Sequence, residues 1–93
     1  MSKYFVKAIE YRKYPRPEDD LPVVYKGENQ IIASGKNFNS FLEDLKQYMK
    51  ENKMKVEALD KDYLLIATEG EVIECSVSAL SSSEAAKIRN LNY

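Results

Sequence analysis

The sequence predicts an α+β domain: an antiparallel sheet of about five to six strands, with one long amphipathic helix packed on one face and a short C-terminal helix. Three observations carry that reading. Residues 38–52 bear a single helical apolar stripe, most of the rest of the chain falls into short β-prone runs, and turn residues separate those runs. The expected order is β-β-β-α-β-β-β-α, within one domain spanning residues 1–93.

Residues 3–12 (KYFVKAIEYR) open the chain with high strand propensity. Tyr4, Val6 and Ala8 fall on one side, and Phe5, Ile9 and Tyr11 on the other. Apolar groups on both sides suggest a central strand, or one whose outer face is partly covered. Pro15 and Pro17 then end regular structure, because neither can donate a ladder hydrogen bond. Residues 11–20 therefore read as a loop in which Tyr11 ends the strand. VVYK at 23–26 and QIIAS at 30–34 flank Gly27-Glu28-Asn29 in the manner of a hairpin.

The helix follows. Phe38, Phe41, Leu42, Leu45, Tyr48 and Met49 form its apolar stripe, with charged and amide residues opposite. Asn37 or Asn39 can cap its start, Glu43 and Asp44 lie toward its positive end, and Lys50 and Lys53 toward its negative end. MKVEAL at 54–59 then places Met54, Val56 and Ala58 on one strand face. Asp60-Lys61-Asp62 is a turn, and YLLIAT at 63–68 an almost continuous apolar strand. Glu69-Gly70 makes a tight turn in which Gly70 can take positive φ. VIECSVSA at 72–79 alternates, with Ile73, Cys75, Val77 and Ala79 inward. Ser81 with Glu84 three residues later is a capping box opening a short final helix striped by Ala85, Ile88 and Leu91.

Composition narrows the chemistry. The 93 residues are 44% apolar and 31% charged with a net charge of −1, an ordinary globular balance that does not favour nucleic acid or an anionic membrane. No run approaches the ~18 apolar residues of a membrane helix. One cysteine, Cys75, cannot form an internal disulfide, so a cytoplasmic protein is expected. The absence of histidine removes the commonest general base and the commonest zinc ligand together. Gly27, Gly35 and Gly70 lie too far apart for a phosphate loop. Cys75, on the inward side of its strand, reads as packing, and the acids around the turns read as solvated. No catalytic, metal or cofactor residue is assigned, and a non-enzymatic protein is expected.

Charge is nevertheless uneven. Lys3, Lys7, Arg12, Lys13 and Arg16 face only Glu10 over residues 1–17, while Glu57, Asp60, Asp62, Glu69, Glu71 and Glu74 face only Lys61 over 57–74. The expected function is therefore protein–protein interaction, as a regulatory or inhibitory module. Its candidate surface is Tyr11, Arg12, Lys13, Tyr14 and Arg16, with the acidic turns at Glu69, Glu71 and Glu74 second. The alternative is single-stranded nucleic acid, its phosphates on the cations of the 11–16 stretch and its bases on the two tyrosines. Glu18, Asp19 and Asp20 count against that alternative, because they follow at once and repel phosphate. Exposed strand edges leave a homodimer open as well.

Overall fold

The computed structural model describes residues 3–13, 23–26 and 29–91. In chain order these form β1 (Tyr4–Lys13), β2 (Val23–Lys26), β3 (Ile31–Gly35), α1 (Phe38–Asn52), β4 (Lys55–Leu59), β5 (Tyr63–Ala67), β6 (Glu71–Val77) and α2 (Ser82–Arg89). The class is α+β, and every strand pairing is antiparallel. The sheet runs β2-β1-β6-β5-β4, with β3 also paired to β1.

That last pairing corrects the expected hairpin. Among the described residues β2 and β3 do not pair with each other; both lie against β1. β2 takes Glu10 to Lys13, and β3 takes Tyr4 to Lys7. The two short segments thus follow one another along the same edge of the ten-residue β1. Asn29 between them has φ 53°, a left-handed conformation that asparagine tolerates better than most residues. It redirects the chain without folding it back on itself.

One hydrophobic layer organises the fold. Val6, Ala8, Leu64, Ile66, Ile73, Cys75 and Val77 project from the sheet onto Phe41, Leu45 and Met49 of α1 and Ile88 of α2, all within one buried cluster. Both helices therefore cover the same face. The α1 stripe lies where its periodicity places it, with Phe38, Leu42 and Tyr48 partly buried along its flanks. Asn37 caps the helix, its side chain accepting from the Ser40 N–H at 2.9 Å. Asp44 serves less as a dipole partner than as a tie to the sheet, accepting from the Ser34 N–H at 2.8 Å. Lys53 closes the C-terminus in the left-handed region, and the Met54 N–H returns to the Met49 carbonyl at 2.8 Å. At α2 the capping box forms in both directions, Ser81 Oγ accepting from the Glu84 N–H and Glu84 Oε1 from the Ser81 N–H.

Bulges explain the remaining differences. One interrupts the β4–β5 register between Val56 and Ala58, so Ala58 is exposed and does not continue the inward row of Met54 and Val56. A second interrupts the β1–β6 register between Ala8 and Glu10. Ala79 lies past the end of β6 and is exposed. Gly70 does not take positive φ. The Thr68 hydroxyl closes that turn instead, accepting from the N–H groups of Gly70 and Glu71 at 3.2 and 3.0 Å.

Candidate interaction surface

Among the described residues, those singled out from sequence divide between the two faces of the sheet and the β5–β6 turn. β1 runs on to Lys13, so Tyr11, Arg12 and Lys13 belong to a strand paired on both sides and not to a loop. Tyr14 and Arg16 lie outside the described residues. Tyr11 is half-buried, turned toward the helices and hydrogen-bonded to Tyr48 of α1. Glu69 is exposed at the β5–β6 turn. Glu71 and Glu74 are both half-buried, but their odd spacing along β6 puts them on opposite faces. Glu71 sits on the helix side, where its charge acts on Tyr48. Glu74 sits on the far side, in register with Glu10 and Leu65.

That far side is the notable surface. In the β1–β6 bulge, Ala8 and Tyr11 both point toward the helices, so the two residues between them, Ile9 and Glu10, share the opposite side. Lys7 lies on that side as well, and its partner in β3 is Ile31. Ile9 is 44% and Ile31 56% exposed, the large apolar side chains that stand out in solvent among the described residues. Phe5 and Leu65 alternate onto the same face and are half-buried. Ala67 and Val72 pair across it, buried yet outside the helix-side cluster. Neither helix packs there. The sequence signal for this face was the apolar content on both sides of β1, although nothing in the pattern marked Ile31.

Charge on the face is mixed. Lys7, Arg12 and Lys55 hold far-side register positions, Glu10 and Glu74 face one another across β1 and β6, and Lys26 of β2 is paired to Glu10. A different hollow beside the β5–β6 turn, about 580 Å³, is lined by Lys53, Lys55, Glu57, Thr68, Glu69 and Gly70. All of these but Thr68 are exposed, so this is an open depression without the convergent apolar walls of a small-molecule pocket.

Two titratable groups on the helix side, Cys75 and Tyr48, are shifted by burial. Burial pushes the Cys75 thiol up to about 12, with the Glu74 charge adding to the effect. Burial likewise raises the Tyr48 hydroxyl well above the ordinary phenol range, with the Tyr11 hydroxyl the next cause. A thiol held protonated this way is a poor nucleophile. In the folded protein at pH 8, Cys75 should react with a disulfide reagent far more slowly than in guanidinium. Both shifts have the same sign for stability. The unfolded chain ionises the thiol from about pH 8.5 and the phenol from about pH 10, while the native state resists. Stability should therefore hold below about pH 8.5 and fall as pH rises toward 12, read from denaturant midpoints across that range.

At the α2 end, Tyr4 donates its hydroxyl proton to Glu84 Oε2 at 2.9 Å, joining β1 to the capping box. The Ser81 N–H, then the Tyr4 hydroxyl, hold Glu84 below the usual carboxylate range. Among the described residues, His, Cys, Asp and Glu form no group of three or more able to hold a metal. No helix there is long and apolar enough to cross a membrane. Comparison of the chain with protein-family models, curated proteins and solved structures gave no match.

Proposed function

We propose that this is a small non-enzymatic protein that acts by binding another protein chain, through the sheet face turned away from its helices. One observation carries the reading: Ile9 and Ile31 stand exposed on a face that also presents Phe5 and Leu65. A solvated antiparallel face ordinarily carries polar side chains, so four large apolar residues interspersed with charges suit this one to contact with another chain. Such a face gives affinity through apolar burial, while its interspersed charges set register and orientation. The nucleic-acid alternative is weakened, because Tyr11 packs toward α1 and offers no ring for stacking.

A photo-crosslinking residue in place of Ile31 tests the reading, with one at Gln47, exposed on the outer side of α1, as control. After nuclease treatment of a native-cell lysate, position 31 should yield a protein adduct and position 47 none. Adducts to nucleic acid, or equal yields from both positions, would sink the proposal.

A further inference from the structure

We infer that the groove between the two helices is a separate contact site, on the helix side of the molecule, and that its partner is an acidic amphipathic helix. The inference goes beyond the proposed role of the far sheet face and does not depend on it.

The groove follows from how the helices dock. α1 packs against β3 and β1 toward one edge of the sheet, and α2 against β4 at the other. A hollow of about 450 Å³ is left between them, lined by Leu42 and Lys46 of α1, Ala86 and Lys87 of α2, and Asn90 and Leu91 just beyond it. Leu42 and Lys46 are one helical turn apart, as are Lys87 and Leu91, so each wall offers one leucine and one lysine. Both leucines are half-buried and rest on the core cluster, which makes the floor apolar.

The charge of the groove has one sign. Among the described residues no carboxylate lines it. Lys46 is half-buried, yet it has no hydrogen bond or ion pair with any described residue. Lys87 Nζ lies 5.7 Å from the Phe38 ring centroid, a contact that draws it toward α1 and leaves its charge in place. The acids within one turn of these lysines are directed elsewhere. Glu84 is taken up by the Ser81 N–H and the Tyr4 hydroxyl, and Asp44 by the Ser34 N–H. Glu43 is exposed, turned about 100° from Leu42 toward the outside of α1.

An apolar floor between two cations, on walls set at helix spacing, matches a helix that places a leucine or isoleucine between acids three or four residues away. The partner's acids would meet Lys46 and Lys87 while its apolar side chain covers Leu42 and Leu91. Single-stranded nucleic acid fits less well, because the floor is aliphatic and the neighbouring Phe38 ring already carries Lys87.

An amide-shift titration of the isotope-labelled full chain tests the inference. The probe is a blocked synthetic helix of about 18 residues with leucine and glutamate at that spacing, and its control a twin with every glutamate replaced by lysine. The expected result is saturating shifts at Leu42, Lys46, Lys87 and Leu91, with Kd on the order of 100 µM at low salt and weaker at high salt. Lys46→Gln and Lys87→Glu should each weaken binding by about fivefold or more while the far-ultraviolet circular dichroism stays native. Absence of saturable shifts up to ~2 mM overturns the inference. So does equal binding of the lysine twin, or of both folded variants. Shifts confined to the far sheet face would move the contact there and overturn the groove. A thymidine oligonucleotide that shifts the same amides at lower concentration than the acidic helix would overturn the choice of partner in favour of nucleic acid.

Discussion

Phe41→Ala should lower unfolding free energy by about 3–5 kcal/mol, the range for truncating a fully buried phenylalanine. A domain of this length has roughly 5–10 kcal/mol in total, so the variant should sit near the edge of folding. Phe41 is wholly buried in the first turn of α1. Its ring stacks on Tyr4 of β1 with centroids 5.7 Å apart and planes 23° apart, and lies 6.0 Å from Phe38. Tyr4 and Phe38 meet edge to face at 5.8 Å, which closes a three-ring cluster. Alanine would remove the central ring and leave a cavity that two flanking rings cannot both fill. Guanidinium denaturation should show a lower midpoint with an unchanged slope. A loss under about 1 kcal/mol would mean the cluster collapses freely around the gap.

Gly35→Ala should be the other severe change, costing about 3 kcal/mol through overpacking. A Cβ at Gly35 would lie 2.4 Å from the Phe41 nitrogen and 2.7 Å from its Cα. Those are backbone atoms of a helix anchored by Phe41, Leu45 and Met49, so no rotamer change relieves the contact. Either α1 moves off β3 or Gly35 loses its pairing with Tyr4. Gly70→Ala is the matched control, since a Cβ there meets nothing within 4 Å. It should stay within about 0.5 kcal/mol of wild type. Equal midpoints for the two alanine variants would show that the close approach of β3 and α1 does not constrain the protein.

These two positions also show what could be read in advance. The α1 stripe and the Ser81–Glu84 box were legible because each is a local pattern, set by helix geometry and by orphan N–H groups. Gly35 was not, because its requirement comes from a helix turn that reaches back over the strand. The bulges were equally silent. Nothing in KYFVKAIEYR marks the extra residue at Ile9, yet it decides that Tyr11 faces the helices and Ile9 the solvent. Grouping the acids of 57–74 by nearness in sequence hid their parity, which separates Glu71 from Glu74 across the sheet. The β2–β3 hairpin misled for a related reason. Local turn chemistry competes with the pairing surface offered by a long neighbour, and β1 won.

The position of β1 also shapes how the molecule is made. It emerges first among these strands, yet one whole side of it waits for β6, with Val6 meeting Val77 and Lys13 meeting Glu71. A nascent chain that has exposed β1 through α1 can dock the helix on only part of the sheet. Its central strand then presents an unsatisfied edge until residues 71–77 leave the ribosome. Closing so distant a pairing is entropically slow, on the order of milliseconds to seconds for sheets dominated by non-local contacts. During that interval the open side of β1 is the segment most available to a chaperone or to a neighbouring nascent chain.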